Sequence, residues 1–505
     1  MGENLENRIF VVEHGAAENV AGSNFMIHIG PELHAVDIGK KYQKGEEHEP
    51  FSYKPSDVKT VTFTHEHMDH IGLLPKLKKE GFNGPLITTP EGFELGKLQL
   101  GQIYSGPFIH NKWVKGKKYK HGPKAGQWIP FQEILYEYSD FQEIKELFVS
   151  HEDKKGIPYQ TPFKLSDKIQ GTFYDAGHIP GSSQILFEIK PDGKKPIKLL
   201  TTYDLGRTDY KTTTNPIADI PIVRFPHTDF GKDIDYVVVE ATYGNKTHGS
   251  LDDSIKEFED SINYVAKNDG RLVIPAFSIM RTQMIWNFFY RLQKENRIPP
   301  DFKLFSNSST AHSVARIMLK YINNMDERAQ IEFANKKDNP FNFENLVKLD
   351  TKATTAWLKD RNMKGSAIIS SSGMGDMGGI VRVLEQTLKY HNNIIMGTGY
   401  AAPGTRMDLL YKGETEIPFI ETAGIVHRKA AVRKMGGLSG HADINETIAH
   451  LKNMKDPAKG EHFKRIFIKH GEKASCHALR KALIEAGYRP GEVIVMEKDE
   501  HYFLD

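Results

Sequence analysis

Short apolar runs separated by turn residues open the chain. Residues 8–12 (RIFVV), 25–29 (FMIHI), 33–38 (LHAVDI) and 58–64 (VKTVTFT) are rich in β-branched and aromatic side chains, which predicts strands in quick succession. From Ile71 the apolar spacing turns helical, and a mixed, partly helical stretch lies between Glu91 and Leu147. Strands resume at 171–175 (GTFYD), 184–189 (QILFEI), 197–203 (IKLLTTY) and 235–240 (DYVVVE). An amphipathic helix is predicted over 251–267. Arg271–Phe277 (RLVIPAF) then predicts a buried strand, followed by a helix through Leu292. Strand–helix alternation continues to about residue 410 and predicts a second layered α/β unit. The tail reads as a strand over 463–469, a helix and a strand over 493–496.

Composition narrows the class. The chain has 505 residues, 39% hydrophobic and 26% charged, which is a globular balance with room for about two to four domains. Lys and Arg exceed Asp and Glu by 67 − 65 = 2, so any nucleic-acid contact must come from a local basic patch. A single cysteine, Cys476, excludes an intramolecular disulfide framework and a cysteine-based zinc finger, and suits a reducing, cytoplasmic setting. The start, MGENLENRIFVVEHG, lacks a secretion-signal pattern, and no apolar run approaches the ~20 residues of a membrane span. The unusual count is 22 histidines, since a metal site without cysteine is built from imidazoles and carboxylates.

Those ligand types cluster. Thr64-His65-Glu66-His67-Met68-Asp69-His70 follows a predicted strand and precedes a helix. In an extended turn, residues i and i+2 point the same way, so His65 and His67 can grip one metal while Asp69 and His70 reach a second. His178 sits in a Gly-rich turn (DAGHIPGS), and Asp204 ends an apolar strand, where it can bridge both ions. Glu240 ends the strand YVVVE; a carboxylate there is equally a plain cap, although sites gather at such strand ends. His441 (GLSGHAD) and His470 (IKHGE) each follow a strand-like run and open a helix, where capping by Ser439 or Asp443 is an alternative use of the same residues.

These motifs together resemble the β-CASP branch of the metallo-β-lactamase fold, in particular ribonucleases related to RNase J and to the pre-mRNA 3′-end endonuclease. The resemblance runs over essentially the whole chain. Asp37 in HAVDIG matches the first motif, THEHMDH the second, His178 the third and Asp204 the fourth. Glu240 in EATYG, His441 in SGHAD and His470 in KHGE match motifs A, B and C, and a histidine at 470 favours the RNA side of the family. RLVIPAFSIMRTQ and SSSGMGDMGG resemble signatures of the inserted domain. The sequence departs from the pattern at Tyr203-Asp204, where Gly-Asp is usual, and in a longer stretch over 101–165. Neither a KH module nor a further C-terminal domain is expected.

The resemblance implies an αββα sandwich over residues 1–243 and 428–505, interrupted by an inserted α/β β-CASP domain over 244–427. It implies two Zn2+ ions, with Mn2+ or Mg2+ as alternatives: His65, His67 and His178 on one, Asp69, His70 and His470 on the other, and Asp204 between them. Asp69, Glu240 and His441 would be catalytic, with Glu240 keeping His441 charged as a proton donor, and Asp37 would orient the histidine loop. The expected activity is hydrolysis of RNA phosphodiester bonds, endo- or 5′-exonucleolytic. Phosphate contacts are expected from Arg281 and from the small-residue loop Ser371, Ser372 and Gly373, for which a plain turn is the alternative. The run NKWVKGKKYKHGPK places Lys112, Lys115, Lys117, Lys118, Lys120 and Lys124 around Trp113 and Tyr119, which suits single-stranded RNA or a solvated loop. A homo-oligomer is compatible with all of this. Two rival readings are a small-molecule ester, thioester or lactone hydrolase, which has no need of the insertion, and a catalytically silent RNA-binding subunit, which would lose metal ligands.

Overall fold

The computed structural model describes residues 8–41, 50–118, 126–128, 134–191, 193–208, 215–217, 222–360, 365–419 and 424–505. The early strands form at Ile9–Glu13, Phe25–Ile29, Glu32–Val36 and Val58–Thr62, within a six-stranded sheet edged by Tyr502–Phe503 and Leu86–Ile87. A second, seven-stranded sheet runs in the order Val493–Val495, Arg465–Lys469, Tyr236–Glu240, Ile197–Tyr203, Ser183–Ile189, Ile169–Asp175 and Pro162–Lys164. The inner strands of both sheets bury residues on two faces, while the edge strand Pro162–Lys164 buries only Phe163. Val11, Phe25 and Ile27 of the first sheet share one core with Phe173, Phe187, Leu199 and Val238 of the second. The outer face of the first sheet packs Val61 and Phe63 on Leu74, Leu77 and Ile144, and that of the second packs Leu200 and Val237 on Leu451 and Leu479. The result is the four-layer αββα sandwich, built from both ends of the chain.

The middle of the chain makes a third sheet in the order Leu346–Lys348, Leu304–Ser306, Ser366–Ser370, Arg271–Pro275, Ile394–Gly397 and Ala431–Lys434. Every pairing in it is parallel. Period-two alternation sends Leu272 and Ile274 to one helix layer, with Phe258 and Phe289, and Val273 to the other, with Trp357 and Leu384. The chain is still in this sheet at Lys434, past position 428, because Ala431–Lys434 pairs with Ile394–Gly397.

Predicted elements sit close to their expected bounds. The amphipathic helix is Leu251–Lys267, and the strand read over 271–277 stops at Pro275, after which Ala276–Phe277 leads into the helix Arg281–Lys294. The long stretch after Glu91 holds a 25-residue helix, Pro90–Val114, started by Pro at its first position and by Thr89 Oγ1, which accepts from the Gly92 N–H. This helix ties the sandwich to the third-sheet unit: Glu94 pairs with Lys320 at 2.9 Å and Glu91 accepts from Asn324 at 2.8 Å. Of the basic run, Tyr119, Lys120 and Lys124 lie outside the described residues, while Lys118 stacks over the Trp128 ring at 4.7 Å. Cys476 is buried on the helix Lys473–Glu485, as a small apolar filler would be.

Candidate metal centre

Strand direction brings distant motifs together. Tyr236–Glu240 runs parallel to both Ile197–Tyr203 and Arg465–Lys469, with Tyr203 opposite Val239 and Glu240 opposite Lys469. Asp204, Glu240 and His470 therefore leave the sheet at one edge. The turn between Asp175 and Ser183, register partners on antiparallel strands, adds His178 to the same edge. In the first sheet Val36 is opposite Thr62, so Asp37 and the loop that begins at Phe63 share an edge too. That the sites cluster at strand C-termini follows the rule for parallel sheets.

Among the described residues, ligand-type atoms gather within 4.8 Å in three groups: Asp204, Glu240 and His441, and two richer in imidazole, with His65, His67, His178 and Asp204 in one and Asp69, His70 and His470 in the other. Asp204 faces both imidazole-rich groups. Its Oδ2 is 3.3 Å from His65 Nε2 and 3.6 Å from His178 Nε2, while Oδ1 is 3.4 Å from both His70 Nε2 and His470 Nδ1. The remaining ring nitrogens are anchored outward. His70 Nδ1 lies 2.7 Å from Asp37 Oδ2, His178 Nδ1 lies 2.9 Å from the Gly440 carbonyl, and His65 Nδ1 lies 3.1 Å from Thr64 Oγ1. Each of those Nδ1–H groups donates outward, so the Nε2 lone pair points inward, as in carboxylate–histidine–metal triads.

The residues fit a metal by a further criterion. His70 Nε2, His470 Nε2 and Asp204 Oδ1 are buried without a hydrogen-bond partner. Three buried polar atoms without a hydrogen-bond partner in one cluster are costly unless a cation satisfies them. Protonation states agree at three imidazoles and differ at His70, where burial is outweighed by Asp204 and Asp37, which raise its pKa well above the usual value. Burial lowers the pKa of His65 and His67 to about 3, and of His178 well below its usual value, so these imidazoles are neutral at pH 7. Burial opposes charging Asp69 and Asp204, but the surrounding imidazoles outweigh it and hold both carboxylates ionised. Glu66, in the same loop, joins none of these groups, and burial pushes its pKa up.

Glu240 and His441 form a separate pair beside Asp204. His441 Nδ1 is 3.0 Å from Glu240 Oε1 and 3.9 Å from Asp204 Oδ2, and Glu240 Oε1 also accepts from the Leu205 N–H at 2.8 Å. Burial alone would depress His441, but Glu240 and Asp204 outweigh it and raise its pKa to about 10. Asp443 caps the following helix, so capping and a placed His441 occur together in one loop.

The expected phosphate-contact residues lie apart from these groups, at the C-terminal edge of the third sheet. Ser371 Oγ is 2.6 Å from Ser278 Oγ and 2.9 Å from Ser308 Oγ, a hydroxyl cluster across three strand ends. Gly373 follows in the same loop, and its Cα hydrogen faces Phe277, which a Cβ would meet at 2.9 Å. Arg281 opens the helix that follows Met280. Tyr203, unusual before the aspartate, has φ 45°, a conformation in which glycine is unstrained; its hydroxyl donates to the Val36 carbonyl at 3.2 Å and its ring is buried in the inter-sheet core. Sequence reading missed Thr64 as a hinge of the site, although it stands inside the motif. Thr64 Oγ1 donates to Asp37 Oδ2 at 3.0 Å and receives His65. The Gly440 carbonyl that orients His178 carries no sequence signal, being backbone.

Known proteins match along the chain. Residues 45–153 match the metallo-beta-lactamase superfamily, 282–409 the Beta-Casp domain, and 425–496 the Zn-dependent metallo-hydrolase RNA specificity domain. The chain is 26% identical over 484 residues to Ribonuclease TTHA0252 of Thermus thermophilus, covering 94% of this chain and 96% of that one. It is 26% identical over 478 residues to Transcription termination factor FttA of Methanosarcina mazei, covering 92% and 67%. Against Endoribonuclease YSH1 of Eremothecium gossypii it is 23% identical over 439 residues, 85% of this chain and 50% of that one. Among solved structures, a protein of unknown function from Enterococcus faecalis V583 shares the fold at a TM-score of 0.51 and 12% identity, covering 98% and 100%.

Proposed function

We propose, from the premise that the chain belongs to the β-CASP branch of the metallo-β-lactamase superfamily, that it is a two-metal ribonuclease acting on single-stranded RNA. The observation that carries this reading is the pair of inward-facing ligand groups sharing Asp204, with the Glu240–His441 pair alongside. His65, His67 and His178 would hold one ion and Asp69, His70 and His470 the other, with Asp204 common to both. Zinc suits this imidazole-rich donor set. When bound, such ions would neutralise a phosphodiester and lower the pKa of a bound water.

The chain's own residues do the rest. Asp37, Thr64 and the Gly440 carbonyl hold three imidazoles at fixed tautomer and angle. Glu240 holds Nδ1 of His441, which leaves Nε2 to give a proton to the departing ribose oxygen. Arg281 and the loop Ser371, Ser372 and Gly373 would receive neighbouring phosphates in the cleft between the two units. The Lys112–Lys118 segment would extend that track.

The test is elemental analysis of the purified protein together with cleavage of a 5′-labelled single-stranded RNA, before and after chelation. Two ions per chain and chelator-sensitive cleavage are expected. Two bound ions with no RNA cleavage, or turnover of thioesters and lactones instead, would overturn the ribonuclease reading. One ion or none in metal-supplied protein would overturn the two-metal reading.

A further inference from the structure

Outside the motifs, one side chain grips the proposed proton donor from behind. His248 lies in the connection between the strand Tyr236–Glu240 and the helix Leu251–Lys267. Its Nε2 is 2.8 Å from the backbone carbonyl of His441, and its own N–H donates to Asp443 Oδ2 at 3.1 Å. Its ring packs on Tyr243 at 4.2 Å between centroids, and Lys246 lies over that tyrosine at 4.9 Å. Since Nε2 donates to a carbonyl, Nδ1 must be the bare nitrogen. It is buried without a partner, and the neutral ring this requires agrees with a pKa lowered to about 4 by burial and by Arg207.

His441 is thus held at three points. Glu240 takes its Nδ1, Ser439 Oγ accepts its N–H at 3.2 Å, and His248 takes its carbonyl. The first bond fixes the ring's direction, but only the backbone bonds fix where the ring starts from. The flanking loop is pinned at Gly437, whose N–H donates to Ser254 Oγ at 2.8 Å and whose carbonyl accepts from Arg207. The peptide that follows His441 is held from two sides, its N–H on Ala442 donating to the Leu205 carbonyl at 2.6 Å and its carbonyl accepting from His248, so loss of His248 leaves only the Leu205 bond to fix its plane. Displacement of a catalytic group by about 1 Å can cost on the order of 10²-fold in rate.

We propose that His248 is a positioning residue that sets the backbone of His441 and, through it, the reach of its Nε2. This rests on the ribonuclease reading for its effect on rate, though not for its effect on geometry. Gln in place of His248 can still donate to the carbonyl, whereas Leu cannot. His248→Leu should lower kcat roughly 10–100-fold, the span for residues that orient a site, with KM and metal content unchanged. His248→Gln should recover most of that loss. In a His441→Ala background His248→Leu should cost nothing further, because residues acting through one another are not additive. Crystal structures should show His441 Nδ1 beyond hydrogen-bond distance of Glu240 in His248→Leu and within it in His248→Gln. If His248→Leu does not fold, His248→Asn, polar but too short to reach the carbonyl, takes its place.

The proposal is overturned if the variant without the donor keeps the His441–Glu240 bond, if the Gln variant is as slow as the Leu variant, or if the loss persists in the His441→Ala background. A wild type that leaves RNA intact would sink the ribonuclease reading alone, and the two variant structures would still decide the role of His248.

Discussion

Two buried carboxylate–cation pairs flank the ligand groups, one at the back of the site and one at its mouth. At the back, Lys469 Nζ pairs with Glu13 Oε2 and donates to Ser23 Oγ at 2.9 Å, and both partners' side chains are at most 2% exposed. The other oxygen of Glu13 accepts from the N–H groups of Gly15, Ala16 and Asn24. Ammonium and rings close the remaining space, with Nζ 4.3 Å from the Tyr203 ring centre. At the mouth, Glu240 is as buried as Glu13, but its partner His441 keeps 21% of its side chain exposed. The two pairs sit on neighbouring strands, Glu240 being the register partner of Lys469. The difference lies in what each cation has left over. Lys469 is enclosed by partners, so its pair fastens the N-terminal strand behind His470, whose N–H donates to the Ala16 carbonyl at 2.8 Å. His441 has Nδ1 bound to Glu240 and part of its ring exposed, and the proposed proton transfer needs the second ring nitrogen to be reachable.

Substitutions can break this contrast. The largest effect is expected from Asp204→Ala, which removes the group common to both ligand sets: metal content should fall and hydrolysis cease while circular dichroism stays native. His441→Ala should keep both ions and RNA affinity but lose about 10²–10⁴-fold in kcat. A substrate with a better leaving group at the scissile bond should recover part of that. Loss of an ion instead would make His441 a ligand. Glu240→Gln should show the same defect in milder form.

At the back, the effect should move from rate to stability. Lys469→Met leaves Glu13 enclosed without the cation that offsets its burial, and should cost about 3–5 kcal/mol in urea unfolding. His441→Ala should cost less, because water entering the cleft can reach Glu240. Adding Glu13→Gln to Lys469→Met should restore part of the loss, since the pair is then removed together. A double variant no better than the single would show that the lysine acts through packing on Tyr203 and Phe25. The smallest effect is expected at the far edge, where Arg281→Glu should raise KM for RNA about tenfold, ~1.4 kcal/mol, without changing kcat. An unchanged KM would remove Arg281 from the substrate track.

Much of the site was legible because its chemistry is written locally. THEHMDH carries four candidate ligands, His65, His67, Asp69 and His70, close together in one loop, and strand-end positions marked Asp204, Glu240 and His470 as candidates to meet it. The strands and the second layered α/β unit followed from apolar periodicity, since alternation along a strand depends only on near neighbours, whereas the αββα sandwich and its interruption came with the family resemblance. What was not legible is long-range. Nothing near Gly440 says that its carbonyl will hold His178, 262 residues away, or that His248 will reach His441 across 193. The long region after Glu91 read only as a mixed stretch, and its helix proved to tie the two units together through Glu91 and Glu94.

The sequence by itself therefore determined the inventory: which residues can hold a metal, which segments alternate, and which ends of strands they occupy. Tertiary structure decided the roles. Register between parallel strands set which carboxylate faced which imidazole, and enclosure set whether the cation of a buried pair was wholly covered or left partly exposed. Lys469 and His441 are both cations beside a buried glutamate, and only the space left around each, which no stretch of chain encodes alone, separates them.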